Sequence, residues 1–226
     1  MYTLKPEIAC ERLIKILREK GISDERVLDA FRKVPRHLFV EKMLYGQAYD
    51  DNALPIGVGQ TISQPYVVAY MTQTLCIKKD DKILEIGTGS GFQTAILSQY
   101  SRRVYTIERQ RDLAAGALKR LREMGYQNIV FKTGDGTRGW SQHAPFDRII
   151  VTAGAPALPE DLLKQLAVGG KMIIPTGDRQ KQELIVYEKN IDGVSQSNAG
   201  LVTFVPLIGE RGWAEPNKTP HPNGTV

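Results

Sequence analysis

Cysteine is scarce in this 226-residue chain, and the two present, Cys10 and Cys76, stand too far apart for a disulfide framework or a metal-ligand spacing. Both sit among apolar neighbours, so each is expected to be a small buried side chain. Histidine is also rare: His37, His143 and His221 are scattered, and no Ser-His-Asp set or metal cluster emerges. No apolar run approaches membrane-spanning length, and Met1 to Cys10 lacks the charged-then-apolar layout of a signal peptide. A cytoplasmic protein without a membrane partner is the expectation, and the glycosylation patterns at Asn217 and Asn223 then carry no meaning. Excess charge is modest, at a formal +5, and the basic residues are spread out. Lys78-Lys79 and Arg102-Arg103 are too short to form a nucleic-acid footprint and read as solvated faces.

The length suits one substantial core. Pro6 and Glu7 open an amphipathic helix through Ile8, Leu13, Ile14, Ile16 and Leu17, closed by Gly21. Ser23 reads as the N-cap of a second helix that Pro35 stops. Residues 36–62 show no clean period and form an irregular cover. Ser63 then reads as the N-cap of a helix with Pro65 in its first turn and Val67, Met71 and Leu75 on its apolar face. From there strands and helices alternate. Strands are expected at 82–86, 103–107, 129–132, 146–151 and 171–174, with helices at 92–100, 111–124 and 158–166. This rhythm predicts an α/β fold, a doubly wound and mostly parallel sheet with helices on both faces. Residues 183–189 and 200–205, joined through Asp192-Gly193, read as a closing antiparallel hairpin, which brings the sheet to seven strands. The domain is expected to span 1–213, with 1–62 as N-terminal helices and cover and 63–213 as the core. Residues 214–226, rich in proline, read as a tail, within which Asn223-Gly224 is itself prone to isoaspartate formation.

Ligands of such sheets bind beyond the carboxyl ends of the strands. After the first strand comes Glu85-Ile86-Gly87-Thr88-Gly89-Ser90-Gly91, whose alternate glycines let backbone approach a ligand closely. Glu108 follows the second strand, placed to accept hydrogen bonds from ribose hydroxyls, and Asp135 follows the third, where a carboxylate suits an adenine amino group. A dinucleotide-binding fingerprint would put its third glycine where Phe92 stands. The loop alone is weak evidence. Together with three acids, and with no phosphate to neutralise, it favours S-adenosylmethionine over NAD.

Further motifs sharpen this. Val34-Pro35-Arg36-His37-Leu38-Phe39-Val40, Leu54-Pro55-Ile56-Gly57 and Gly59-Gln60-Thr61-Ile62-Ser63-Gln64-Pro65-Tyr66 resemble the protein-L-isoaspartate O-methyltransferase family. So do Leu84 to Ala95, Gly134-Asp135-Gly136, Pro145-Phe146-Asp147, Val151 to Ala155 and Phe204-Val205-Pro206-Leu207. The likeness covers about residues 5 to 213; the glycine loop is generic to methyltransferases, whereas Gln60 to Pro65 is distinctive. It implies the class I S-adenosylmethionine-dependent fold and transfer of a methyl group to the α-carboxylate of L-isoaspartyl residues in damaged proteins, which starts their return to aspartate through a succinimide. It also implies Ser63 as the active-site residue. Gln60, Thr61, Ile62, Glu85, Gly87, Thr88, Gly89, Gly91, Glu108, Arg109, Asp135, Gly136 and Thr152 would hold the cofactor. Ser63, Gln64, Pro65, Val205, Pro206 and Leu207 would hold the acceptor, a peptide or protein, with the enzyme a monomer.

A carboxylate acceptor explains the missing catalytic base, since it is already ionised near pH 7. A methyl group leaving a sulfonium asks for no metal and no acid. Alignment and exclusion of water remain, and alignment alone is worth about 7–11 kcal/mol. The free N–H groups at Gln64 and Tyr66, beside the Ser63 hydroxyl, are expected to hold that carboxylate. Read without the resemblance, Ser63 is an ordinary N-cap. The alternatives are a methyltransferase of small molecules or nucleic acids and a non-catalytic sensor of the cofactor.

Overall fold

The computed structural model describes residues 5–215; most of the tail, with Asn217, His221 and Asn223-Gly224, lies outside the described residues. Seven strands form one sheet: β3 (Lys82–Ile86), β4 (Arg103–Glu108), β5 (Ile129–Thr133), β6 (Phe146–Val151), β7 (Leu166–Gly177), β8 (Gln182–Asn190) and β9 (Gly193–Val202). Their order is β5-β4-β3-β6-β7-β8-β9. The first five run parallel, and β8 and β9 add an antiparallel ribbon. Strands 3, 4 and 6 are rich in apolar residues because helices cover both faces, and nearly every residue in them is buried, Glu85 and Thr106 included. The order reverses between β3 and β6, which opens a crevice at their carboxyl ends.

Helices α1 (Pro6–Glu19) and α2 (Glu25–Lys33) bury Cys10, Leu13, Ile14 and Leu17 against Val27, Leu28 and Phe31. The N-cap of α2 is Asp24, whose side chain accepts from Arg26 N, rather than Ser23. Residues 36–62 are less irregular than expected, with two short 3-10 turns and a hairpin of β1 (Leu54–Gly57) and β2 (Gln60–Ile62). The core helices are α3 (Pro65–Thr74), α4 (Phe92–Ser98), α5 (Arg111–Glu123) and a single-turn α6 (Glu160–Lys164). The expected helix at 158–166 is cut short because Leu166 already pairs with Phe146 as the start of β7. No helix among the described residues is long and apolar enough to cross a membrane.

One cysteine departs from expectation. Cys10 is buried, but Cys76 is exposed. It follows the end of α3 in a left-handed conformation (φ 49°), which turns its side chain outward.

Candidate active site

A cleft lies over the carboxyl ends of β3, β4 and β6, floored by the loop after β3 and roofed by β2 and residues 205–208. Its backbone is drawn tight at the crossover. Thr152, the first residue after β6, gives its hydroxyl to the carbonyls of Ile86 (2.9 Å) and Gly87 (2.6 Å). Gly87 has φ 98°, and a Cβ there would run into that hydroxyl. Thr152 therefore shapes the loop with the group expected to face a ligand, though the residue does line the cleft.

Glu108 ends β4. Its two oxygens accept from Gly89 N (2.9 Å) and Gln110 N (2.8 Å), so the carboxylate is fixed in position and each oxygen keeps a lone pair for a vicinal diol. Arg109, which pairs with Glu215, is the only other charged residue lining the cleft among the described residues. Such a wall suits a nucleoside without phosphates. Gly136 reaches the cleft through close contact with Ile86, whose Cγ2 would lie 2.5 Å from an added Cβ.

Three of the expected cofactor residues stand behind the surface instead. Glu85 is fully buried; its Oε2 accepts from the hydroxyls of Thr94 (2.6 Å) and Thr106 (2.7 Å), and its Oε1 has no partner. Burial pushes this carboxyl up to about 8 against an ordinary 4.5, with the two hydroxyl hydrogen bonds pulling down and the Glu108 charge adding to the rise. Asp135 lies one layer out, where Oδ1 accepts from Thr137 N and Oγ1 and Oδ2 accepts from Glu210 N (2.8 Å). It thereby ties down the loop after Leu207, and these hydrogen bonds hold its carboxyl below the usual range against a desolvation that acts the other way. Gly91 is a packing glycine: φ is 88°, and an added Cβ would stand 3.0 Å from Leu121 Cδ1 of α5.

On the acceptor side, Ser63 is half-buried, and its hydroxyl makes no hydrogen bond among the described residues. It does not cap α3, whose N-cap is Gln64. The N-terminus of that helix is occupied from a distance, by Asp51. Its Oδ1 accepts from Tyr66 N (2.8 Å), and its Oδ2 from Gln64 Nε2 (3.1 Å) and Lys20 Nζ (2.6 Å). The free N–H groups expected to hold the substrate carboxylate are thus not free at Tyr66. An acid supplied from fifteen residues upstream leaves no local signal, although Asp50-Asp51-Asn52 is visible as a turn cluster.

Ser63 is held through its backbone. The Arg36 guanidinium, 1% exposed, donates to Ser63 O (2.8 Å), Ala48 O (2.9 Å) and Asn52 O (3.4 Å), leaving Nη1 without a partner. It lies 4.8 Å over the Phe92 ring. Burial pulls its pKa down to about 9, against the opposing effect of Asp51. Phe92 also meets Phe31 and Phe39 edge-on, so the residue after the glycine loop fastens the cover to the core.

Residues 205–207 are docked by a short parallel bridge to the loop after β6. Gly154 N donates to Val205 O and Leu207 N to Gly154 O, both at 2.8 Å. Val205, Pro206 and Leu207 line the cleft along with Gln60, Thr61, Ile62 and Ser63, whereas Pro65 lies outside it and Gln64 faces a second cavity. Sequence reasoning missed Gln93, Gln110 and Ile208, which also line the cleft; Gln93 stands in the family-like run Leu84 to Ala95, whereas Gln110 and Ile208 carry no motif-like signal.

A family model described as protein-L-isoaspartate(D-aspartate) O-methyltransferase matches residues 9–212. The chain belongs to that family. A protein-L-isoaspartate O-methyltransferase 1 of Syntrophobacter fumaroxidans is 52% identical over 206 residues, 91% of this chain and 96% of the relative. A protein-L-isoaspartate O-methyltransferase of Dictyoglomus thermophilum is 51% identical over 204 residues, 90% and 93% of the two chains. Among solved structures, one protein-L-isoaspartate O-methyltransferase superposes with a TM-score of 0.82 at 28% identity, covering 90% of this chain and 67% of that one. Another, from Plasmodium falciparum and in complex with S-adenosyl-L-homocysteine, gives 0.75 at 26% identity, with 87% and 97% covered. Family membership and fold therefore agree with the motif reading around the glycine loop and Ser63.

Proposed function

We propose that this chain transfers a methyl group from S-adenosylmethionine to the free α-carboxylate of L-isoaspartyl residues in damaged proteins and peptides, which initiates repair through a succinimide. The observation that carries the reading is the uncommitted Ser63 hydroxyl, facing a cleft with the fixed Glu108 carboxylate in its wall. Membership of the family supports the acceptor class, and the product-bound Plasmodium relative supports the cofactor.

When bound, S-adenosylmethionine supplies an electrophilic methyl group on a sulfonium. Glu108, held by Gly89 and Gln110, receives the ribose hydroxyls; Gly87, Thr88 and Gly89 allow close backbone approach; Gln60, Thr61, Ile62, Arg109, Gly136 and Thr152 complete the cofactor wall. Ser63 donates its hydroxyl to the acceptor carboxylate and orients one oxygen for attack, while Val205, Pro206 and Leu207 flank it and exclude water. Glu85, Gly91 and Asp135 support this surface from behind. No proton need be moved, because the attacking group is already an anion.

Residues 1–213 act as one methyltransferase domain, and the enzyme works as a monomer. It acts on polypeptides, without a nucleic-acid or membrane partner. Two free thiols suit the cytoplasm, where disulfides are rare.

Incubation with methyl-labelled cofactor and matched isoaspartyl and aspartyl peptides tests the reading. Base-labile label on the isoaspartyl peptide alone is expected; equal label on both, or none on either, refutes it. Ser63→Ala should lower turnover about 10- to 100-fold, the worth of one hydrogen bond to a charged group, while leaving cofactor affinity within a few-fold.

A further inference from the structure

A second cavity, of about 590 Å³, lies on the other side of Ser63, between the start of α3 and the β8–β9 ribbon. Thr61 and Ser63 line both it and the cleft described above, so the two chambers meet at the residues proposed to hold the acceptor. Its volume falls in the range of pockets that bury a ligand, about 300–1,000 Å³. Apolar Val67, Leu184, Ala199 and Val202 and the stacked rings of Tyr66 and Tyr70 (centroids 5.7 Å apart) make one part of the walls, and polar side chains such as Gln64 and Thr203 the rest. Lys181, exposed, is the only charged lining residue among the described residues. One wall belongs to β9, the edge strand of the sheet, with no further strand beyond it among the described residues.

We infer that this cavity is a subsite for the residues flanking the isoaspartyl residue, and that it selects an apolar or aromatic neighbour and favours acidic over basic charge. The inference rests on the proposed function and adds a specificity determinant to it. The covalent chemistry of the acceptor supports it. In an isoaspartyl residue the main chain runs through the side-chain carboxyl, so the α-carboxylate is pendant. When that group points at the cofactor cleft, the chain carrying it must leave past Thr61 and Ser63, and the adjoining cavity receives it there. Apolar walls reward burial of a neighbouring side chain. The lone lysine attracts an acidic neighbour and repels a basic one.

The test uses the full chain and isoaspartyl hexapeptides that differ only beside the isoaspartyl residue, with kcat/KM measured from methyl-labelled cofactor. Peptides with Tyr or Leu there should exceed the Gly peptide about tenfold, and a Glu-flanked peptide should exceed its Lys-flanked counterpart. Ala199→Trp, which fills the cavity, should bring the Tyr-to-Gly ratio close to one. Lys181→Glu should reverse the order of the Glu and Lys peptides. Cofactor affinity and thermal midpoint, measured on both variants, report that each is folded. Flank-independent rates in the parent enzyme, or unchanged preferences in either folded variant, overturn the inference while leaving the methyltransferase reading intact. Absence of label on every isoaspartyl peptide overturns both.

Discussion

Glu85 sits under the glycine loop with no counter-charge among the described residues, and replacing it with glutamine should make the protein more stable at alkaline pH and no better at acid pH. The folded carboxyl titrates at about 8, against 4.5 when exposed. Below pH 4.5 both states hold the proton, and Glu85 costs nothing. As pH rises from 4.5 towards 8, only the unfolded chain ionises, and stability is lost at about 1.4 kcal/mol per pH unit. The loss is roughly 3 kcal/mol at pH 7 and approaches about 5 kcal/mol above pH 8. Glutamine does not titrate. It can accept from Thr94 and Thr106 as Glu85 does, but its amide nitrogen then stands where Oε1 has no partner, at a cost of about 1–3 kcal/mol. Glu85→Gln is therefore expected to be equal to or weaker than the parent at pH 5 and stronger by about 2–4 kcal/mol at pH 8.5. Urea unfolding of the cofactor-free proteins at pH 5, 7 and 8.5 measures this, because all other titrations cancel in the difference. A stability difference that stays flat across that range would refute the reasoning.

Gly87→Ala combines a φ of 98° with a collision against the Thr152 hydroxyl; cofactor affinity by calorimetry should fall at least tenfold, and unchanged affinity would show that the loop adapts freely. Arg36→Lys exchanges a fork that spans three carbonyls for a single ammonium. It should lower kcat on an isoaspartyl peptide about tenfold through Ser63, with cofactor affinity kept; loss of both together would mean that Arg36 only holds the fold. Glu108→Gln turns one accepting oxygen into a donor facing the backbone N–H of Gly89 or Gln110, and the stabilisation of the protein by S-adenosylhomocysteine in thermal melts should largely disappear.

How much of this was legible depended on how local the cause was. Strands such as Ile83 to Ile86 and Val104 to Ile107 announce themselves because a sheet covered on both faces needs mostly apolar segments, each here interrupted by one polar residue. Strand β9 starts earlier than the expected 200–205, since residues 193–198 are mostly polar and all exposed, with no apolar alternation to mark them as a strand. The hairpin at 54–62 and the occupant of the α3 N-terminus were hidden for a related reason: Arg36 holds the residues flanking the hairpin, Asn52 and Ser63, and Asp51 holds Tyr66 N, each from a dozen or more residues away. At the site, strand ends point to Glu108, Gly87 and Gly89, and all three line the cleft. The same rule could not tell that Glu85 turns into the core and Asp135 towards the loop after Leu207, because a strand's last acid can turn towards the ligand or towards the protein, and the choice is made by Thr94, Thr106, Thr137 and Glu210.

Phe92, where a dinucleotide-binding loop would carry a glycine, has an evolutionary consequence. Its ring is shared property: Arg36 lies on its face, and Phe31 and Phe39 abut its edge. The cofactor loop and the N-terminal cover cannot be exchanged independently, because a loop from another methyltransferase would leave a buried guanidinium and two aromatic rings without a platform. Recombination within this lineage should keep residues 31–92 as one inherited block.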